Sequence, residues 1–106
     1  MRVSKNDDNP IKVCRYLSRY HTGSKNAASS KTLEAAFHIR GSELRRIVNK
    51  LRCDGFPICS DKNGYYYAAC ESEIHETVAQ LNSRISKISG AKDGMLSHTD
   101  KSKIQK

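Results

Sequence analysis

Residues 41–68 read GSELRRIVNKLRCDGFPICSDKNGYYYA, and the periodicity of the apolar positions changes halfway along them. Leu44, Ile47, Val48 and Leu51 recur at i, i+3, i+4 and i+7, one stripe of a 3.6-residue helix. Ser42 is the predicted cap of that helix, and Glu43 in its first turn complements the positive end of the dipole. Asp54-Gly55 is the predicted stop, because glycine is the usual residue just past a helix end. Beyond it, FPICS and YYYAA flank DKNG. Asn-Gly tolerates the two positive φ angles of a type I′ turn, so these runs are predicted to pair as a β-hairpin. Strands send alternate side chains to opposite faces. Of Tyr65, Tyr66 and Tyr67, at least one is therefore expected in the core and another exposed beside the hairpin.

Upstream, Asn9-Pro10 is a helix opening, with Asn as cap and Pro at the first helical position. Ile11, Val13, Cys14 and Leu17 give that helix an apolar face, with Tyr16 and Tyr20 at its edges. It is expected to stop at the polar segment HTGSKNAASS, residues 21–30. Ser30 is the predicted cap of a short second helix carrying Leu33, Ala36 and Phe37 on one side. Downstream, Glu71 to Ser89 reads as a fourth helix closed by Gly90. Its Ile74, Val78, Leu81, Ile85 and Ile88 are spaced 4, 3, 4, 3, a heptad seam with Val78 and Ile85 at a. The seam either pairs with a second copy, giving a homodimer, or packs on its own domain. The predicted division is a disordered lead at 1–9, a domain at 10–70, a C-terminal helix and possible dimerisation element at 71–90, and a flexible basic tail at 91–106.

The 106 residues carry nineteen Lys/Arg against eleven Asp/Glu, a net charge of +8. Residues 10–70 hold eleven of the basic residues and four of the acids, a net of +7, so the excess sits on the part expected to fold. Such a balance favours a polyanion as partner. Cys14, Cys53, Cys59 and Cys70 are too scattered for a CxxC knuckle and follow no secretory signal, so free thiols in a reducing cytoplasm are expected. No apolar run approaches the ~20 residues of a membrane span. The four histidines fall in no ligand-spaced pair, and no phosphate-binding glycine loop or nucleophile–base signature appears. The chain is accordingly expected to hold no metal or cofactor and not to be an enzyme.

Helix, helix, turn, helix, hairpin, helix is the plan of a winged helix-turn-helix, mainly α with a two-stranded wing. The second helix of its pair enters the ~12 Å major groove. At ~100° per residue, the face opposite the apolar stripe centres on Ser42, Arg46 and Asn49. Glu43 and Lys50 lie on one flank, Arg45 and Arg52 on the other. Arg suits guanine and Asn suits adenine in bidentate pairs, while Arg45, Lys50, Arg52 and the hydroxyl of Ser42 suit phosphates. Lys62 and Asn63, at the hairpin tip, would reach the neighbouring backbone or minor groove.

The run SKTLEAAFHIRGSELRRIVNKLRCDGFPICSDKNGYYYA resembles the winged helix-turn-helix proteins of bacteriophages and prophages, especially those of Gram-positive hosts. The likeness lies in a Ser-capped helix, an S-x-x-x-R-x-x-V/I-x-x-L-R helix, a G-x-P-I-x-S strand and a G-Y-Y-x-A strand, in that order. It covers Ser30 to Ala69, and the segment HTGSKNAASS before it is long and polar for that fold. The resemblance implies duplex DNA binding through Ser42, Arg45, Arg46, Asn49 and the wing, in a repressor, a replication-initiation protein or a packaging protein of the bacterial cytoplasm. The alternative is a phage protein that uses the same scaffold to bind and inhibit a host protein, such as a nucleic-acid enzyme.

Overall fold

A computed structural model of the chain describes residues 9–104. Four α-helices surround one two-stranded antiparallel sheet. They run α1 (Asn9–Tyr20), α2 (Ser30–Phe37), α3 (Gly41–Cys53), β1 (Ile58–Asp61), β2 (Gly64–Tyr67) and α4 (Glu71–Ile104), with one 3-10 turn at Ser24–Asn26. Of the expected lead at 1–9, all but Asn9 lies outside the described residues, and Asn9 is already the first residue of α1.

All four stripe residues of α3 are buried, together with Val13 and Leu17 of α1 and Leu33 of α2. Each such side chain contributes on the order of 1.5–3 kcal/mol when fully buried, which fixes the rotation of α3 about its axis. Ile11 does not join this core and is 57% exposed. It stands two residues, about 200° of helical rotation, from Val13, which already points inward.

The helix ends differ by a residue or two from those expected. Ser29 rather than Ser30 caps α2, its Oγ accepting from Thr32 N at 3.1 Å. Arg40 rather than Ser42 stands at the cap of α3, with no side-chain bond, so Ser42 lies inside the first turn. His38, at φ 55°, supplies the left-handed residue that ends α2. The end of α3 closes as a Schellman turn. Gly55 (φ 101°) donates to Arg52 O at 3.0 Å and Phe56 N donates to Leu51 O at 3.0 Å.

β1 and β2 pair in the register Ile58↔Tyr67, Cys59↔Tyr66, Ser60↔Tyr65 and Asp61↔Gly64. The loop is therefore Lys62-Asn63, not Asn63-Gly64, and Gly64 alone in the hairpin has a positive φ, 131°. A type I′ turn needs two. Here Asp61 holds the turn, its Oδ1 accepting from Asn63 N at 2.8 Å. Gly64 is needed for closeness as well as for φ, since a Cβ there would stand 2.1 Å from the carbonyl oxygen of Ala28.

That close approach belongs to the polar segment 21–30, which is laid along the free edge of β2. Tyr67 N donates to His21 O and Gly23 N to Tyr67 O, while Ala28 and Tyr65 exchange both backbone bonds, all at 2.8 Å. The segment thus bridges the edge of β2 at two places on either side of the 3-10 turn, parallel at Thr22 and antiparallel at Ala28.

Both faces of the sheet are covered. Ile58, Tyr65 and Tyr67 pack on the helical core. Cys59 and Tyr66 are buried on the other side, where α4 lies across β1 through the buried Thr77, whose Oγ1 accepts from Ser60 N at 3.3 Å. The tyrosine expected to stand exposed beside the hairpin is absent, because Tyr65 and Tyr67 are both half-buried.

α4 passes through Gly90 and Gly94 without a break and continues to Ile104. The expected stop at Gly90 is wrong, and the segment foreseen as a flexible tail is helical as far as it is described. A glycine inside a helix costs only about 1 kcal/mol relative to alanine, and no proline follows it here.

Candidate nucleic-acid interface

Burying Leu44, Ile47, Val48 and Leu51 turns the opposite side of α3 outward. Ser42, Arg45, Arg46, Asn49 and Lys50 are all exposed, and Glu43 is half-buried. Neither Arg45 nor Arg46 is ion-paired among the described residues. Lys50 is partly engaged, its Nζ 3.3 Å from Asp54 Oδ2, in an i, i+4 pair open to water on both sides. A pair this exposed is worth a few tenths of a kcal/mol and leaves the ammonium free to turn elsewhere.

Arg52 departs from the expectation. Its Nε donates to Ile58 O at 2.7 Å and its Nη2 to Ser60 Oγ at 3.2 Å, clamping the last turn of α3 to β1. Burial pushes its guanidinium below the ordinary value, yet arginine at this position remains a cation at neutral pH. The flank of α3 that carries it is where the hairpin packs, so Arg52 is a structural clamp rather than an open phosphate ligand.

Lys62 and Asn63 form the exposed hairpin tip. The tip borders a polar recess shared with Ser29 and Ser30 at the start of α2. Asp61 in that recess is already satisfied, by Asn63 N and by the hydroxyl of Ser24. Lys31 in the first turn of α2 and Arg40 at the cap of α3 are also exposed. Neither stands out in the sequence, since α2 is marked by its apolar side and Arg40 falls in the turn IRGS. Their signal was a basic residue next to each helix start.

Glu73 does more than complement the start of α4. Its two carboxylate oxygens accept from Ser24 N at 2.9 Å and Ala69 N at 2.8 Å, tying the segment after α1 to the strand–helix junction. Burial pushes the thiols of Cys59 and Cys14 and the phenol of Tyr66 upward, keeping all three neutral. All four cysteines are free.

The heptad seam is divided by the fold. Ile74 and Leu81 are half-buried and line a groove with Phe56, Pro57 and Ile58, whereas Val78 is 44% exposed and Ile85 and Ile88 are 62% and 65% exposed. Among the described residues no cluster of three His, Cys, Asp or Glu could hold a metal ion, and no helix is long and apolar enough to cross a membrane. Comparison with known protein families, with curated proteins and with solved structures finds no match to this chain.

Proposed function

We propose that this chain is a winged helix-turn-helix protein that binds duplex DNA sequence-specifically, with α3 in the major groove and the Lys62-Asn63 tip on the adjacent backbone or minor groove. The observation that carries the reading is the outer face of α3. It offers two exposed arginines with no ion pair among the described residues and an exposed asparagine, on a helix whose rotation four buried aliphatic residues fix. Arg46 and Asn49 are assigned to base edges, where each bidentate pair discriminates by about 1–3 kcal/mol. Arg45 and Lys50 are assigned to phosphates, joined by Lys31, Arg40 and Lys62. The resemblance to phage and prophage proteins makes the role that of a transcriptional regulator or a replication or packaging accessory in a bacterial cytoplasm, acting as a homodimer.

Salt titration of a labelled duplex tests this. With four or five phosphates neutralised, the log–log slope is expected at about −4, so raising salt from 50 to 200 mM weakens binding roughly 250-fold. Binding that ignores salt, or no binding to any duplex, overturns the proposal and favours a host protein as the target.

A further inference from the structure

Beyond Leu81, α4 projects from the domain. Every residue from Asn82 to Thr99 is exposed, yet the stretch carries Ile85, Ile88, Met95 and Leu96, between 55% and 76% exposed. Most helical stability in proteins comes from packing an apolar face, which this stretch lacks, and Gly90 and Gly94 in its interior weaken it further. It needs a surface to lie on. The heptad begun at Ile74 continues past the predicted stop. Counting on from Val78 and Ile85, Lys92 falls at a; counting on from Leu81 and Ile88, Met95 falls at d.

We propose that two copies of this chain pair through α4 in antiparallel orientation, with Ile85 of one against Ile88 of the other and Val78 against Met95. The inference rests on the homodimer reading above and adds its orientation, register and residues. Lys92 decides the direction. In a parallel pair it would face its own copy in the seam, like charge against like charge. In the antiparallel register it faces Leu81 instead, and its four-carbon stem can cover the leucine while the ammonium reaches water. The same register aligns every apolar seam residue from Val78 to Met95 with an apolar partner apart from that one position. It also brings Met95 and Leu96 of the second copy to the groove beside Val78, where Phe56 is 44% exposed. The paired stretch runs about 27 Å, and the two Thr77 positions stand about 29 Å apart along it.

Sedimentation of the full chain without DNA tests the pairing independently of any nucleic-acid activity. A dimer mass at micromolar concentration is expected, reverting to monomer in Ile85→Asp and Ile88→Asp, whose sites are exposed within one copy and leave its fold intact by circular dichroism. Monomer at 100 µM, a higher oligomer, or a dimer indifferent to both substitutions overturns it. Orientation is read by oxidation, with Cys14, Cys53 and Cys70 replaced by serine. A Val78→Cys, Met95→Cys chain is expected to cross-link into a dimer, while Val78→Cys alone is not. Cross-linking of Val78→Cys alone would show the parallel pair and overturn the antiparallel one.

Discussion

Replacing Arg52 by alanine removes two donors from β1 while leaving the exposed face of α3 untouched. The stronger bond, Nε to Ile58 O at 2.7 Å, joins a charged donor to a buried strand residue; the weaker, Nη2 to Ser60 Oγ, spans 3.2 Å. Hydrogen bonds to charged groups contribute about 1.5–3 kcal/mol. Because Arg52 is itself only half-buried, the low end applies to the first bond and well under 1 kcal/mol to the second, so the total is about 2 kcal/mol. For a domain of this size that lowers Tm by about 10 °C. Arg52→Lys keeps the charge but not the fork, and is expected to fall between alanine and the native residue. Arg46→Ala, six residues away and exposed, is expected to stay within about 0.5 kcal/mol of the native protein. Thermal melts of the three variants beside duplex titrations separate the roles. If Arg52→Ala melted within about 3 °C of the native protein while lowering the salt slope by about one, Arg52 would be a phosphate ligand and the clamp reasoning would be wrong.

Two glycines separate closeness from backbone strain. Gly55→Ala has a positive φ but meets nothing within 4 Å and is expected to cost about 1 kcal/mol; Gly64→Ala must also displace the Ala28 carbonyl 2.1 Å away, and about 3 kcal/mol or more is expected from urea midpoints. Equal costs would refute the close approach of Ala28 to Gly64. Alkaline pH is a further test. Burial raises Cys59 and Tyr66 above their ordinary 9.0 and 10.0, so the folded state keeps protons that the unfolded state releases. Their contribution is full below pH 9 and is lost as pH rises beyond it. Tm is expected to hold from pH 7 to 8.5 and then fall, more gently in Cys59→Ala. A flat profile to pH 10.5 would contradict this.

α3 was legible because its four stripe residues are all core and nothing competes with their period. The hairpin was legible from its flanking strands and its Lys62-Asn63 tip, but the type I′ turn read from Asn-Gly does not form. Asn63-Gly64 has the chemistry of a type I′ pair, yet the approach of Ala28 to Gly64 claims that glycine for the strand. The edge bridges made by residues 21–30 left no apolar period to read, since the pairing is made by backbone groups. For the candidate interface, helical rotation was enough to turn Arg46 and Asn49 outward. It could not tell that the flank holding Arg52 is the one the hairpin occupies, because that depends on a contact between segments. The halves of α4 were indistinguishable in sequence for the same reason: Ile74 and Ile85 share a heptad pattern, and only the position of β1 decides which is covered.

The central claim is that Arg46 and Asn49 read bases. Its most direct measurement is selection from a random duplex pool with the native protein, Arg46→Ala and Lys50→Ala in parallel. A single enriched motif is expected for the native chain. Arg46→Ala should lose preference at one position, by about 1–3 kcal/mol, while Lys50→Ala binds every sequence more weakly without changing the motif. The same motif from Arg46→Ala at the same stringency, or no enrichment by the native protein, would contradict the account.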